Sequence, residues 1–361
     1  MAADAGLKIQ YVMSFHQCGG NVGDTCDIPL PSWVLDSSDD IFYQDQHGNI
    51  DKEVVSLFAD KDSVVGTAKR SPLNIYKDFM TAFKTELGSH VGSTISEIQV
   101  GAGPCGELRY PSYQMDKWSF CGVGEFQSYS SYAKDQLSVA AAAAGHPEWS
   151  STGGPSNAGS YNSVPSETGF FGSNSEENYR SEYGQFYLNW YSSALVAHGQ
   201  DMLTQANDVF GSSAKLAVKV AGIHWWYLDE SHAAELTAGY YNIDGQNDIY
   251  QDLASMFTSN NATFDFTCLE MKDSEQPSEC KCGPYELVQQ TKQAAKNSKG
   301  HFSGENALQR YDTTAYNTIK DQATSLNWNI DAMTYLRLTD ELMSDSNWDN
   351  FKNFVNDMNN L

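Results

Sequence analysis

The sequence lacks any long apolar run, and it carries little positive charge. Its longest apolar stretch, residues 139–144, is mostly alanine and far shorter than the roughly 18 residues that span a membrane. The 22 lysines and arginines are outnumbered by 46 aspartates and glutamates, which gives a formal net charge of −24. Because nucleic acids and anionic membrane surfaces bind regions of positive potential, we expect neither as a partner. Neutral ligands such as sugars remain compatible with this charge.

Paired cysteine motifs are also absent, since the chain has neither a CxxC pair nor a zinc-like Cys/His spacing. The seven cysteines are scattered, at Cys18, Cys26, Cys105, Cys121, Cys268, Cys280 and Cys282. We therefore expect reduced thiols, no metal site and no other cofactor. The first ten residues lack the charged start, apolar core and cleavage site of a secretory signal. The cytoplasm is the default expectation, and the compartment stays open.

Strand-like and helix-like segments alternate along the chain. Runs of β-branched and aromatic residues predict strands at residues 7–15, 95–100, 216–220, 263–268 and 333–338, and a short strand ending near Ser303. A helix is predicted after Ser71-Pro72, where apolar residues recur at every fourth position from Ile75 to Leu87. Further helices are predicted at residues 128–144, 184–206, 286–295, 313–326 and 347–358. Such alternation implies a parallel sheet, either open or closed.

Polar side chains recur at or just after the ends of these strands. They are His16, Glu107, Lys219 with His224, Thr267, Glu305 and Arg337. Reactive residues at the carboxyl ends of many successive strands are typical of a (β/α)8 TIM barrel. About six of the eight β/α units can be counted, so the sequence predicts an N-terminally incomplete barrel. Residues 150–175 are rich in Gly, Ser and Asn and could form a linker, but Tyr161, Phe170 and Phe171 favour an ordered loop.

Four segments carry the functional signal. They read HQCGGNVGD at residues 16–24, GPCGELRYPSY at 103–113, FTCLEMKD at 266–273 and GENAL at 304–308. Together they resemble the signature motifs and the inner loop of the β-amylases, glycoside hydrolases that release β-maltose from the non-reducing ends of α-1,4-glucans. The similarity continues through IHWWY at 223–227, HAAELTAGYY at 232–241 and YLRL at 335–338. The resemblance implies starch, glycogen or maltodextrin as the substrate.

The resemblance assigns the two catalytic carboxyl groups to Glu107, as the general acid, and Glu305, as the general base. An inverting glycosidase protonates the leaving oxygen on one side of the sugar and activates a water on the other. It therefore uses two carboxyl groups about 6.5–9.5 Å apart. We expect these two residues to face each other across one cleft at the carboxyl ends of their strands.

The resemblance also implies a set of substrate-binding residues around the two glutamates. Thr267 would stabilise the base carboxylate, Asp24 would be the carboxylate of a glycine-hinged lid, and Leu308 would insert between glucose units. Trp225 and Trp226 would offer flat apolar faces to the sugar rings. The remaining predicted contacts to substrate are His16, Tyr113, Lys219, His224, Asn306, Ala307 and Arg337.

The chain departs from the family pattern at its beginning. No Asp-Val-Trp-Trp-Gly segment of the kind that holds glucose in relatives occurs in it, while Cys105 and Gln309 are smaller departures. We expect a single catalytic domain over residues 1–361, truncated at its N-terminus, with a long insertion loop region at residues 103–175 over the active site. Two alternatives remain: a non-catalytic amylase-like protein that binds glucan or regulates a partner, and an inactive fragment. The oligomeric state is open.

Overall fold

A computed structural model describes residues 1–19, 26–172 and 175–361. Its centre is a six-stranded sheet in which every neighbouring pair of strands is parallel and the strand order follows the chain. The strands are β1 (Ile9–Met13), β2 (Ile95–Val100), β3 (Lys215–Val220), β4 (Ala262–Phe266), β5 (His301–Glu305) and β6 (Ala332–Thr334). The curled sheet forms an incomplete (β/α)8 barrel, with β1 and β6 at its two ends. The predicted fold class is confirmed.

Helices connect the strands as in other β/α folds. The main ones are α1 (Pro72–Leu87), α2 (Ser131–Ala144), α3 (Glu182–Phe210), α4 (Ile249–Ser259), α5 (Pro284–Asn297), α6 (Thr313–Thr324) and α7 (Asp345–Met358). Pro72 opens α1 as predicted, and the Ser181 side chain accepts from the Gly184 amide at the start of α3. Among the helices of the described residues, none combines the length and apolarity needed to cross a membrane.

The strands are held by burial of their apolar residues. Ile98 and Val100 on β2 and Val218 and Val220 on β3 are almost fully buried, and every residue of β4 is buried. Two-sided burial explains why these strands are recognisable as apolar runs. The last strand is shorter than predicted, because the Leu336 amide donates to the Asn306 side chain at 2.7 Å instead of extending the ladder.

Three elements of the fold were not predicted, a hairpin and two helices. Phe42–Gln44 and Ile50–Val55 pair as an antiparallel hairpin, which packs with Leu30 and Val34 in a separate small apolar cluster. Helix α4 and the short helix Ala233–Thr237 were also not located. The loop between α2 and α3 is packed on the core, since Tyr161, Phe170 and Phe171 are buried. Their aromatic character had favoured this ordered loop.

The expectation of reduced thiols is wrong for four of the seven cysteines. Disulfides join Cys18 to Cys26 and Cys121 to Cys280, with Cα atoms 5.7 and 5.9 Å apart, which suits disulfide geometry. The partners are 8 and 159 residues apart in sequence. No local motif reveals such pairs, because the fold and not the spacing brings them together. The cysteines without a disulfide are Cys105, Cys268 and Cys282.

Candidate active site

Glu107 follows a tight turn just beyond β2. In that turn Cys105 and Gly106 have positive φ angles of 54° and 78°, and the Glu107 amide donates to the Pro104 carbonyl at 2.9 Å. A Cβ atom on Gly103 would lie 2.4 Å from the Glu107 carbonyl oxygen, so a glycine is required there. After the turn the chain pairs with β3, since the Leu108 amide donates to the Lys219 carbonyl at 2.8 Å. The turn therefore places Glu107 beside Lys219.

The Glu107 carboxylate forms an ion pair with Arg109. Arg109 Nε donates to Glu107 Oε2 at 2.7 Å, and its guanidinium carbon lies 4.2 Å from the centre of the Tyr113 ring. The Arg109 side chain is only 2% exposed, while that of Glu107 is 12% exposed. Arg109 is thus a buried cation whose partner is the predicted acid, and its cationic face rests on the predicted substrate-binding Tyr113.

Glu305 is the last residue of β5, and its carboxylate forms a salt bridge with Lys219 of β3. Burial favours the neutral form of Lys219, but Glu305 and Glu107 outweigh it and raise the pKa of the ammonium group above its usual range. Lys219 therefore stays charged. It is one cation that interacts with both glutamates.

A loop after β5 lies beside Glu305 and is held by a second buried carboxylate. Glu270, 1% exposed, accepts from the Ala307 amide at 3.0 Å and from the Leu308 amide at 2.6 Å. The Asn306 side chain donates to the Leu308 carbonyl at 2.9 Å. The loop is fixed while the Leu308 side chain remains 44% exposed and available for contact.

The loop after β4 is joined to the strand that carries Glu305. Thr267 directly follows β4 and is buried, and the next residue, Cys268, has a positive φ of 62°. The Leu269 amide donates to the Glu305 carbonyl at 3.2 Å. A movement of this loop would therefore change a hydrogen bond to the backbone of Glu305.

The sequence of the chain matches a family of known enzymes. The model of glycosyl hydrolase family 14 matches residues 1–361. The beta-amylase of Glycine max is 48% identical over 369 residues, covering 98% of this chain and 73% of that protein. The beta-amylase of Vigna unguiculata is 47% identical over the same shares. This chain belongs to glycosyl hydrolase family 14. It is a glycoside hydrolase.

A solved family 14 structure agrees with this assignment. The catalytic domain of beta-amylase from Paenibacillus polymyxa superposes with a TM-score of 0.80 at 28% identity, covering 98% of this chain and 82% of that one. Beta-amylase 1, chloroplastic, of Arabidopsis thaliana is 47% identical over 99% of this chain and 64% of its own length. The likeness thus holds at the level of both sequence and fold.

The structure gives the surroundings of three further predicted site residues, Arg337, His16 and His224. Burial raises the pKa of Glu305, and the positive charge of Arg337 is close enough to oppose that rise. His16 lies against the turn, since a Cβ on Gly106 would be 3.4 Å from its Cε1 atom. His224 is buried, and burial lowers its pKa to about 4, so its imidazole is neutral at pH 7. Asp24 lies outside the described residues.

The paired tryptophans have a different environment from the one expected. Trp225 and Trp226 are each 6% exposed, and their Nε1 atoms donate to the carbonyls of Gly122 at 2.9 Å and Cys121 at 2.5 Å. In this structure they support the loop that follows Tyr113 and do not present open faces to a sugar. Ring contacts between Trp225 and Tyr113, 5.2 Å apart at their centres, extend that support.

Sequence reasoning missed Arg109 and Glu270, which hold the acid and the loop after Glu305. Both are charged residues that lie inside the quoted motifs, at GELRY and CLEMKD. A charged residue next to apolar residues within a motif is a usable signal, because buried charges need a partner. Their partners were not readable from sequence.

Proposed function

We propose that this chain is a β-amylase that hydrolyses α-1,4-glucosidic bonds of starch-type glucans with inversion and releases β-maltose from non-reducing ends. The observation that carries the proposal is the arrangement of Glu107 and Glu305 around a shared cation, Lys219, at the carboxyl ends of the strands. Relatives 46–48% identical over almost the whole chain are named beta-amylases.

In the proposed reaction Glu107 protonates the glycosidic oxygen while the bond from that oxygen to C1 breaks. A water attacks C1 from the opposite face, and Glu305 takes its proton, so that the α bond yields a β product. Burial raises the pKa of Glu305, and the ion pair with Lys219 opposes that rise. Lys219 therefore helps to keep a strong base ionised.

Several side chains support the binding of a neutral glucan. Arg337 and the neutral His224 carry hydrogen-bond donors, and Leu308 offers an exposed apolar side chain. Concave sites that combine a few polar groups with apolar surface suit sugars. Starch is the substrate class that the names of the relatives imply, and glycogen and maltodextrin share its α-1,4 linkage.

We also propose that residues 1–361 act as one catalytic domain and that residues 103–175 cover the site. In support, this region begins at the turn before Glu107, and its Phe120 ring lies 6.0 Å from the ring of His224. Trp118 packs on Trp225 with ring centres 5.1 Å apart. These contacts connect the region to the loop after β3.

The proposal is tested on soluble starch. The protein should release maltose whose reducing end is initially in the β configuration, as measured by proton NMR during the first minutes. Glu107→Gln and Glu305→Gln should each lower kcat by about 10²–10⁴-fold, because each removes one proton-transfer group. Glucan binding without release of maltose, or full activity of either variant, would contradict the proposal.

A further inference from the structure

The turn that presents Glu107, residues 102–106, is here named the acid loop. Its backbone is unusual: Cys105 has φ +54° and Gly106 has φ +78°, and the two occupy adjacent positions. A residue other than glycine seldom adopts positive φ unless its surroundings hold it there. The acid loop therefore depends on contacts from outside itself.

One of those contacts comes from the hairpin that the sequence did not reveal. The Cys105 amide donates to Glu53 Oε1 at 2.8 Å, across 52 residues of chain. A carboxylate that accepts from a backbone amide forms a charge-assisted hydrogen bond, which is stronger than a bond between neutral groups. The contact is made at Cys105, the non-glycine residue of the loop that has a positive φ angle.

Glu53 is itself held in place. It lies on the strand Ile50–Val55 of the hairpin, its amide donates to Asp51 Oδ1 at 2.7 Å, and its carbonyl accepts from the Gln17 amide at 2.7 Å. Glu53 also contributes to the raised pKa of Arg109, the residue paired with Glu107. The backbone of Glu53 is thus held, and its carboxylate lies close to both the acid loop and the partner of the acid.

The other end of the acid loop is anchored separately. His198 of α3 lies 2.5 Å from Asp60 through Nδ1 and 3.0 Å from the Ala102 carbonyl through Nε2. Both neighbours are acceptors, so the ring donates from both nitrogens. Ala102 is thus held from the side of α3, and Glu53 holds the loop at Cys105, near its other end.

We propose that Glu53 is a positioning residue for the reaction. Its carboxylate fixes the acid loop at Cys105 and so fixes the direction of the Glu107 side chain. The inference rests on the proposed function, because Glu107 matters as the proton donor. The contact is made to a backbone amide of the acid loop and not to a predicted sugar-binding side chain, so we expect its loss to fall on turnover more than on substrate binding.

The test compares Glu53→Ala, which removes the acceptor, with Glu53→Gln, which keeps an amide oxygen as acceptor. Lys52→Ala is the matched control, since Lys52 is the adjacent residue and pairs with Asp39 at 2.7 Å on the exposed side. We expect Glu53→Ala to lower kcat by about 10- to 100-fold with KM changed less than about twofold. Glu53→Gln should keep most of the activity, and Lys52→Ala all of it.

A second measurement does not need activity. Hydrogen exchange of the peptide that contains Cys105 should be at least about tenfold faster in Glu53→Ala than in the other proteins, because the amide has lost its acceptor. Equal exchange in all of them would overturn the proposal, as would a Glu53→Ala enzyme with unchanged kcat or a Glu53→Gln enzyme as impaired as Glu53→Ala. Failure of the proposed function is a separate outcome, in which the wild-type chain releases no maltose. The exchange result then still shows whether Glu53 holds the acid loop.

Discussion

Asp265 is a buried carboxyl group at the centre of the sheet. It lies on β4, in register with Lys219 on one side and Ser303 on the other, and its residue is 0% exposed. Within the described part of the chain, neither of its oxygens has a hydrogen-bond partner. Burial, with a smaller contribution from Glu305, raises its pKa to about 8. Asp265 is therefore protonated at neutral pH.

This raised pKa makes stability depend on pH. Between about pH 4 and pH 8 the folded chain keeps a proton on Asp265 that the unfolded chain releases, so the free energy of unfolding falls as pH rises through that window. Asp265→Asn removes the titration and keeps the shape of the side chain. Between pH 5 and pH 8 the melting temperature should therefore fall less in the variant than in the wild type. The difference corresponds to about 1–3 kcal/mol in the free energy of unfolding.

Thermal unfolding followed by circular dichroism at each pH is the measurement. Asp116→Asn is a suitable control, because the Asp116 side chain is 74% exposed. It should follow the wild-type profile. The same pH dependence in Asp265→Asn as in the wild type would show that Asp265 is ionised in the folded chain.

Single residues differ in how far the sequence reveals them. Glu107, Glu305 and Lys219 could be singled out because they stand in motifs or interrupt an apolar strand, and the structure brings them together. Their catalytic and binding roles stay predictions. Glu53 and Asp265 could not be singled out, since the importance of Glu53 depends on its contact with a distant loop and that of Asp265 on its burial in the folded sheet. A sequence shows that a charge is present, but not which group faces it.

At the level of elements, the buried strands could be located and the hairpin could not. Most of the six strands contain β-branched or aromatic residues, and Ile95–Val100 was predicted with its observed bounds, whereas His301–Glu305 reads HFSGE and was placed only by its approximate end. Ile50–Val55 contains Asp51, Lys52 and Glu53, so its composition resembles that of a loop. Its stability comes from pairing with Phe42–Gln44 and from the cluster around Ile41, which form only in the folded chain.

The Cys121–Cys280 disulfide joins two elements that surround the site. Cys121 lies in the region after the acid, and Cys280 lies beyond the loop that follows β4. Trp226 contacts both disulfide partners, because its Nε1 donates to the Cys121 carbonyl at 2.5 Å and its amide donates to the Cys280 carbonyl at 2.8 Å. The bond thus ties together loops that carry the acid side and the base side.

Removal of this disulfide should lower stability. A bond that closes a loop of 159 residues restricts the unfolded chain more than one that closes 8 residues. We expect the double substitution Cys121→Ser/Cys280→Ser to lower the free energy of unfolding by about 3–5 kcal/mol. The control, Cys18→Ser/Cys26→Ser, should lower it by about 2 kcal/mol less. Urea unfolding of the two double variants measures both values. A larger loss in the control, or none in Cys121→Ser/Cys280→Ser, would contradict the expectation.

The whole molecule carries a large excess of negative charge, with 46 acidic against 22 basic residues. Many of the basic side chains are engaged at the surface, as in the pairs Lys61–Asp201 and Lys77–Asp208, each at 2.7 Å. Such exposed pairs contribute at most about 1 kcal/mol each. The excess acidic residues therefore repel one another without compensation, while two buried cations, Arg109 and Lys219, lie beside the two glutamates.

Salt should therefore stabilise the protein without changing how it binds substrate. Raising NaCl from about 0.02 to 0.5 M shortens the screening length from roughly 20 Å to below 5 Å, which weakens the repulsion between distant carboxylates. The melting temperature should rise by about 2–5 °C, since the folded chain holds these charges closer together than the unfolded chain does.

A glucan carries no charge, so KM for maltodextrin should change by less than about twofold over the same range. Differential scanning calorimetry and initial rates at each salt concentration measure the two effects, with KCl as a control for specific effects of sodium. A melting temperature that falls with salt would mean that surface attraction outweighs repulsion, and a tenfold rise in KM would mean that screened charges take part in binding the substrate.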